Sequence, residues 1–182
     1  MSGVVRLVVL DSAVLRDLVA GDLAAAGSAA GIEFPAFFAG ERWLWLLHAD
    51  RMVQHPSSIG WLARAAVELA TGVVVGHAGF HFGPDALGMV EIGYTVIPEH
   101  RGRGLAKEMV GELLAFAAAH GAVTVRASIS PGNAASLAVI RHWQFVQTGE
   151  QWDDEDGLEL VFERPAAPPG RSRGRILHAR AA

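Results

Sequence analysis

The sequence predicts a single-domain α/β (α+β) protein whose mixed, mostly antiparallel sheet takes its elements in the order β-α-α-β-β-β-α-β-α-β-β. Three observations carry this. Three apolar, β-branched runs follow one another with only turn residues between them, the pattern of an antiparallel meander. The third run is followed by a helical pattern and then another strand, which requires a parallel crossover. Finally, the 182 residues contain neither an internal repeat nor an interdomain linker, and that length suits one core.

Taken in order, RLVVLD (6–11) is a strand, and Ser12 offers an N-cap to a helix through AVLRDLVAGDLAAA. GIEFPAFFAG breaks the pattern with Gly31, Pro35 and Gly40. Glu41 to Val53 is apolar at helical spacing through Trp43, Leu46, Leu47 and Val53. WLARAAVEL and VVVGHAGFHF are strands around the turn Ala70-Thr71-Gly72, and MVEIGYTVI follows a second turn. Leu105, Met109, Leu113 and Phe116 mark one face of a helix ending near Gly121. VTVRASIS is a strand, Asn133 opens a helix to about His142, and FVQTGEQW and LELVFER form a closing hairpin with DDEDG at its tip.

Composition narrows the chemistry. Apolar residues are 51% and charged residues 19% of the chain, a globular balance. No apolar run reaches the roughly 18 residues that span a bilayer, and the first residues lack a signal-peptide pattern, so a cytoplasmic address without membrane contact is expected. The absence of cysteine excludes disulfides, thiolate nucleophiles and sulfur-bound metals, and no HExxH pattern is present, so no metal is expected. Arg164, Arg171, Arg173, Arg175 and Arg180 all follow the last acid, Glu163; removing these five cations from the net charge of −4 leaves the rest near −9. Such a body is a poor nucleic-acid binder. Residues 165–182 read as a Pro/Arg-rich tail beyond a domain of residues 1–164.

PEHRGRGLAKEMV (98–110) lies between a strand and a helix. The first amides of a helix lack intrahelical partners and carry the positive end of its dipole, which suits an anionic phosphate. Gly102 and Gly104 let that backbone approach without Cβ atoms. A helix that merely starts with glycines is the plainer reading. Walker A and GxGxxG fingerprints are absent.

EIGYTVIPEHRGRGLAKEMV resembles the acetyl-CoA-binding core of the GCN5-related N-acetyltransferases, the GNAT superfamily. Their loop signature, Gln/Arg-x-x-Gly-x-Gly/Ala, is met by Arg101, Gly104 and Ala106. PGNAASLAVIRHWQF resembles their following strand and helix, with Gln144 in place of a glycine, and the element order agrees over roughly residues 4 to 163. Asn133 to Ser136 and the aromatic-rich N-terminal helices are most similar to the branch of ribosomal-protein N-terminal acetyltransferases.

The resemblance implies a CoA-dependent N-acetyltransferase acting on a primary amine, a protein N-terminus or a small molecule, by direct attack in a ternary complex. Pantetheine would pair with the backbone of Tyr94, Thr95 and Val96, and amides of Gly102, Arg103, Gly104, Leu105, Ala106 and Lys107 would cradle the pyrophosphate. Arg101 and Arg103 would add charge-assisted contacts, and Asn133 would cap its helix and bind pantetheine. Glu91, at the start of its strand, is the expected base, since a carboxylate in an apolar sheet has its pKa raised; a strand-end salt bridge is the alternative. His81, and behind it His77, are rivals, and His81 is expected to touch the substrate. The family's tyrosine acid is replaced by Ile140, which leaves Ser136 to hydrogen-bond the leaving thiolate. Phe34, with Phe37, Phe38, Trp43 and Trp45, would stand at the acceptor entrance opposite the acidic hairpin tip (residues 153–156). The missing tyrosine also admits a catalytically weak CoA-binding sensory or scaffold module. A homodimer is compatible with the sequence, but no residue specifies it.

Overall fold

The computed structural model describes residues 4–154 and 157–167. The chain runs β1 (Val5–Val9), α1 (Ser12–Ala20), α2 (Leu23–Ala30), α3 (Phe37–Gly40), α4 (Arg42–Gln54), β2 (Arg64–Glu68), β3 (Val74–Phe80), β4 (Met89–Val96), α5 (Leu105–Ala119), β5 (Thr124–Ile129), α6 (Ala134–His142), β6 (Val146–Asp153) and β7 (Gly157–Pro165). The seven strands form one sheet in the order β1-β2-β3-β4-β5-β7-β6, antiparallel except between β4 and β5. Val90, Ile92 and Val125 on one face pack under Leu105, Met109 and Leu113 of α5. The other face carries Ala65, Val67 and Val74 beneath Leu15, Leu18, Phe38 and Trp45.

Three local features depart from the sequence expectation. The first helix is two: Gly21 takes a left-handed φ of 80° and ends α1, and Asp22 caps α2 through Ala25 N at 2.9 Å. The N-cap of α1 is Asp11, whose carboxylate accepts from Ala13 N and Val14 N, so Ser12 is already helical. α4 presents the opposite face to the one expected. Trp45, His48 and Met52 are buried, whereas Trp43 and Val53 are 58% and 79% exposed. Stacking of Trp45 on Phe38, with centroids 5.1 Å apart, and its indole N–H bonded to the Phe38 carbonyl fix that rotation.

Two devices stiffen the frame around the site. Arg64 is 3% exposed, and its guanidinium donates to the carbonyls of Trp61 (2.6 Å), Leu62 (2.9 Å) and Gly60 while lying 4.2 Å over the Phe116 ring. Burial lowers its pKa to about 10, so it remains a cation at neutral pH. Gln144, where the resemblance expects glycine, takes a φ of 60° itself, so the turn after α6 is kept without the glycine. Beyond residue 164, Pro165 still belongs to β7 and Ala166 is buried, its amide bonded to the Val123 carbonyl. The remainder of the expected basic tail lies outside the described residues.

Candidate active site

β4 and β5 pair only at Met89 with Thr124, Val90 with Val125 and Glu91 with Arg126. From Ile92 onward the strands part, which leaves the β5-side edge of β4 without a strand partner. A cleft opens on each side of the gap.

The first cleft, about 440 Å³, is lined by Tyr94, Thr95, Val96, Arg101, Gly102, Gly104, Leu105, Ala106, Lys107, Asn133 and Ser136, and additionally by His100, Ala135 and Val139. Its blunt end is the start of α5, whose N-cap Gly104 provides no side-chain bond. The amides of Leu105 and Ala106 are thus left for another acceptor, whereas the Lys107 amide, expected to join them, donates to the Gly104 carbonyl at 3.0 Å. Gly102 and Gly104 adopt φ of 77° and 79°, and a Cβ at either would meet nothing within 4 Å. Open glycines, uncapped amides, Lys107 and a bare strand edge fit a ligand with an anionic head and an amide-bearing arm. Arg101 turns its Nε to the Val96 carbonyl at 3.1 Å.

Arg103 does not line this cleft. Its guanidinium is ion-paired with the carboxylate of Glu68, at the end of β2. Glu68 also accepts from the Thr71 hydroxyl at 2.8 Å, and that bond, with Arg103, holds its carboxyl below the usual range. The expectation of a direct phosphate contact is therefore corrected: Arg103 ties the loop to the sheet.

The second cleft, about 510 Å³, lies between α4 and the β6–β7 hairpin; Trp43, Leu47, His48, Arg51, His77, His81, Glu91, Ser128, Gln151, Asp153 and Glu159 are on its walls. Its floor follows from β3–β4 register: His77 pairs with Thr95, Gly79 with Gly93, and the His81 amide donates to the Glu91 carbonyl at 2.9 Å. Alternation puts all six on one face. Tyr94, Thr95, Asn133 and Ser136 line both clefts and mark where they join.

Glu91 does not stand in an apolar setting. Its Oε1 accepts from the Ser128 hydroxyl at 2.6 Å, and Ser128 in turn accepts from Gln151 at 3.2 Å. His81, half-buried, has its pKa lowered by desolvation, which Glu91 opposes. His77 is lowered to about 4 and His48 to about 3, burial being the main cause for each. The 3.9 Å approach of His77 to Glu41 is therefore not an ion pair at neutral pH, because the imidazole is uncharged. Asn133 caps α6 through Ser136 N at 3.0 Å, and the Tyr94 hydroxyl, its pKa raised by burial, lies 3.5 Å from the Ser136 carbonyl. Ile140 is fully buried in the core.

Phe34 lines neither cleft: it is 5% exposed and tilted against Phe38 at 4.9 Å, so the expectation that it touches substrate is corrected. Among the expected aromatics only Trp43 reaches the acceptor side. Of the acidic tip, Asp153 lines that cleft, while residues 155 and 156 lie outside the described residues. His48, Arg51, Ser128 and Gln151 escape a linear reading, since helix rotation and a cross-sheet hydrogen-bond chain bring them in; the (i, i+3) spacing of His48 and Arg51 is the one available signal.

A sequence profile described as "Acetyltransferase (GNAT) domain" matches residues 27–146. No curated protein matches the chain. Solved structures of similar fold include a ribosomal-protein-S5-alanine acetyltransferase from Vibrio fischeri, 18% identical, with a TM-score of 0.60 over 89% of this chain and 92% of that one. A spermidine/spermine N-acetyltransferase from Vibrio cholerae is 12% identical, with a TM-score of 0.61 over 90% and 94%. A phosphinothricin acetyltransferase from Sinorhizobium meliloti, solved in complex with AcCoA, is 19% identical, with a TM-score of 0.55 over 94% and 95%.

Proposed function

This chain belongs to the GNAT acetyltransferases and is an acetyl-CoA-dependent N-acetyltransferase, and from that premise we propose how its two clefts divide the reaction. The first holds acetyl-CoA, with its pyrophosphate on the α5 amides and its pantetheine along Tyr94, Thr95 and Val96. The second receives a primary amine, a peptide N-terminus or a small-molecule amine. The observation that carries this is the shared junction at Tyr94, Thr95, Asn133 and Ser136, where a thioester from one side and an amine from the other come within reach.

An amine is mostly protonated at neutral pH and must lose a proton before it attacks. The His81–Glu91 pair on the acceptor floor supplies that base. Ser136, in the first turn of α6, hydrogen-bonds the sulfur as the thiolate leaves. The acceptor walls carry Glu41, Glu91, Asp153 and Glu159 against the single arginine Arg51, a balance that draws a cationic amine inward. The relatives described as acting on a ribosomal protein or on spermidine accord with an amine acceptor.

Free-thiol release across a panel of peptides and polyamines, alongside acetyl-CoA titration, tests the assignment. Saturable binding with turnover that falls in a Glu91→Gln variant is expected. Binding without turnover for every amine would favour the non-catalytic CoA module that the missing tyrosine suggests.

A further inference from the structure

His81 and Glu91 face each other at the last rung before β4 leaves β5, yet their side chains have different partners. Side chains directly opposite on an antiparallel pair have Cβ atoms about 4.5–5.5 Å apart. Glu91 is tied toward β5: Ser128 donates to it at 2.6 Å, and Gln151 donates to both Ser128 (3.2 Å) and Glu159 (3.0 Å). His81 leans along the floor over Gly93. A Cβ built on Gly93 would lie 3.3 Å from its Nε2, so the imidazole occupies the space that a side chain at 93 would take. The next residue, Tyr94, already lines both clefts. The imidazole thus lies over Gly93, one residue from the junction, and does so only because residue 93 is glycine, whereas the carboxylate is held by Ser128.

We propose that His81 is the base that takes the proton from the acceptor amine, and that Glu91, backbone-paired across the rung from it, is a positioning residue whose carboxylate stabilises the imidazolium formed. The inference rests on the acetyl-transfer reading above. The ammonium gives one proton to His81 Nε2, and the freed lone pair forms the C–N bond to the acetyl carbon as the C–S bond breaks. The nitrogen's surplus proton passes to the departing thiolate, and His81 returns its own proton to water, so amide, thiol and one proton balance the amine cation and thioester. The groups facing His81 are Glu91 from β4, His48 and Arg51 from α4, Asp153 from β6 and Glu159 from β7, with His77 on its own strand. Desolvation, reinforced by Arg51, lowers the imidazole's pKa, and the three carboxylates, Glu91 foremost, oppose that shift.

The test is the pH dependence of kcat/KM together with the imidazole titration of His81 followed by NMR in the unliganded protein. The expected result is an acidic limb whose midpoint matches the His81 titration. His81→Gln removes the limb and lowers kcat/KM by about 10²- to 10⁴-fold with acetyl-CoA affinity unchanged. Glu91→Gln keeps the limb but moves it, and the NMR titration with it, to lower pH. A limb that persists unaltered in His81→Gln, or a His81 titration that Glu91→Gln does not move, overturns the proposal. Wild-type protein that releases no thiol with any amine overturns the enzymatic reading itself, and the base assignment with it.

Discussion

His77 and His48 are 8% and 7% exposed, and each leaves a ring nitrogen buried without a hydrogen-bond partner, Nε2 of His77 and Nδ1 of His48. Both are neutral in the native state because protonation there would place a charge in a desolvated site. Their folded pKa values, about 4 and about 3, lie below the unfolded value near 6.5. The unfolded chain therefore binds more protons as pH falls from about 6.5 towards 4, and stability declines through that window. For His77 the loss is on the order of 3 kcal/mol. Urea midpoints measured at successive pH values should show the decline, and a His77→Leu variant should flatten it. A slope identical to wild type would mean that the imidazole is not held neutral by burial. None of this is legible in the sequence, where His77 is one histidine on an apolar strand; its environment comes from Phe37, Phe38 and Trp45, each with a ring centroid within 6.3 Å.

At the scale of elements, the loop from Arg101 to Gly104 and the start of α5 form one unit with two separable roles. Gly104→Leu places a side chain in the open space before the amides at a φ of 79°. The left-handed strain costs about 1–2 kcal/mol, small against a domain stability of about 5–15 kcal/mol, so the fold survives. Isothermal titration should find acetyl-CoA binding abolished in this variant, and unchanged affinity would remove the pyrophosphate from this loop. Arg103 acts through Glu68. Glu68→Gln and Arg103→Ala should each weaken acetyl-CoA binding, and the double variant should be no weaker than the single ones, because both break the same tie. Additive losses would instead return Arg103 to the phosphates. The glycines and the helix start were legible in RGRG followed by an apolar helical pattern. The destination of Arg103 was not, because Glu68 lies 35 residues away along the chain. The rotation of α4 was hidden for a related reason: Trp43, Leu46, Leu47 and Val53 form an apolar set as convincing as Trp45, His48 and Met52, and only packing against Phe38 chooses between them.

For the whole molecule, acetyl-CoA would touch β4, α5 and α6 together, so its binding couples to global unfolding. At about 100 times the Kd it should add about 2.7 kcal/mol of stability. In a domain of this size that raises Tm by about 5–10 °C, readable by thermal scanning. A Tm that stays constant across saturating concentrations would mean that the clefts do not bind it. The sequence by itself determined the order of the strands, the parallel crossover and the glycine-rich start of α5, because periodicity, turn chemistry and helix starts are properties of neighbouring residues. Only the tertiary structure decided how far β4 and β5 part, which residues line both clefts, and that His81 lies over Gly93 while Glu91 is held by Ser128. Those outcomes depend on sheet register and helix rotation, which are set by contacts between residues distant in the chain and leave no periodic trace along it.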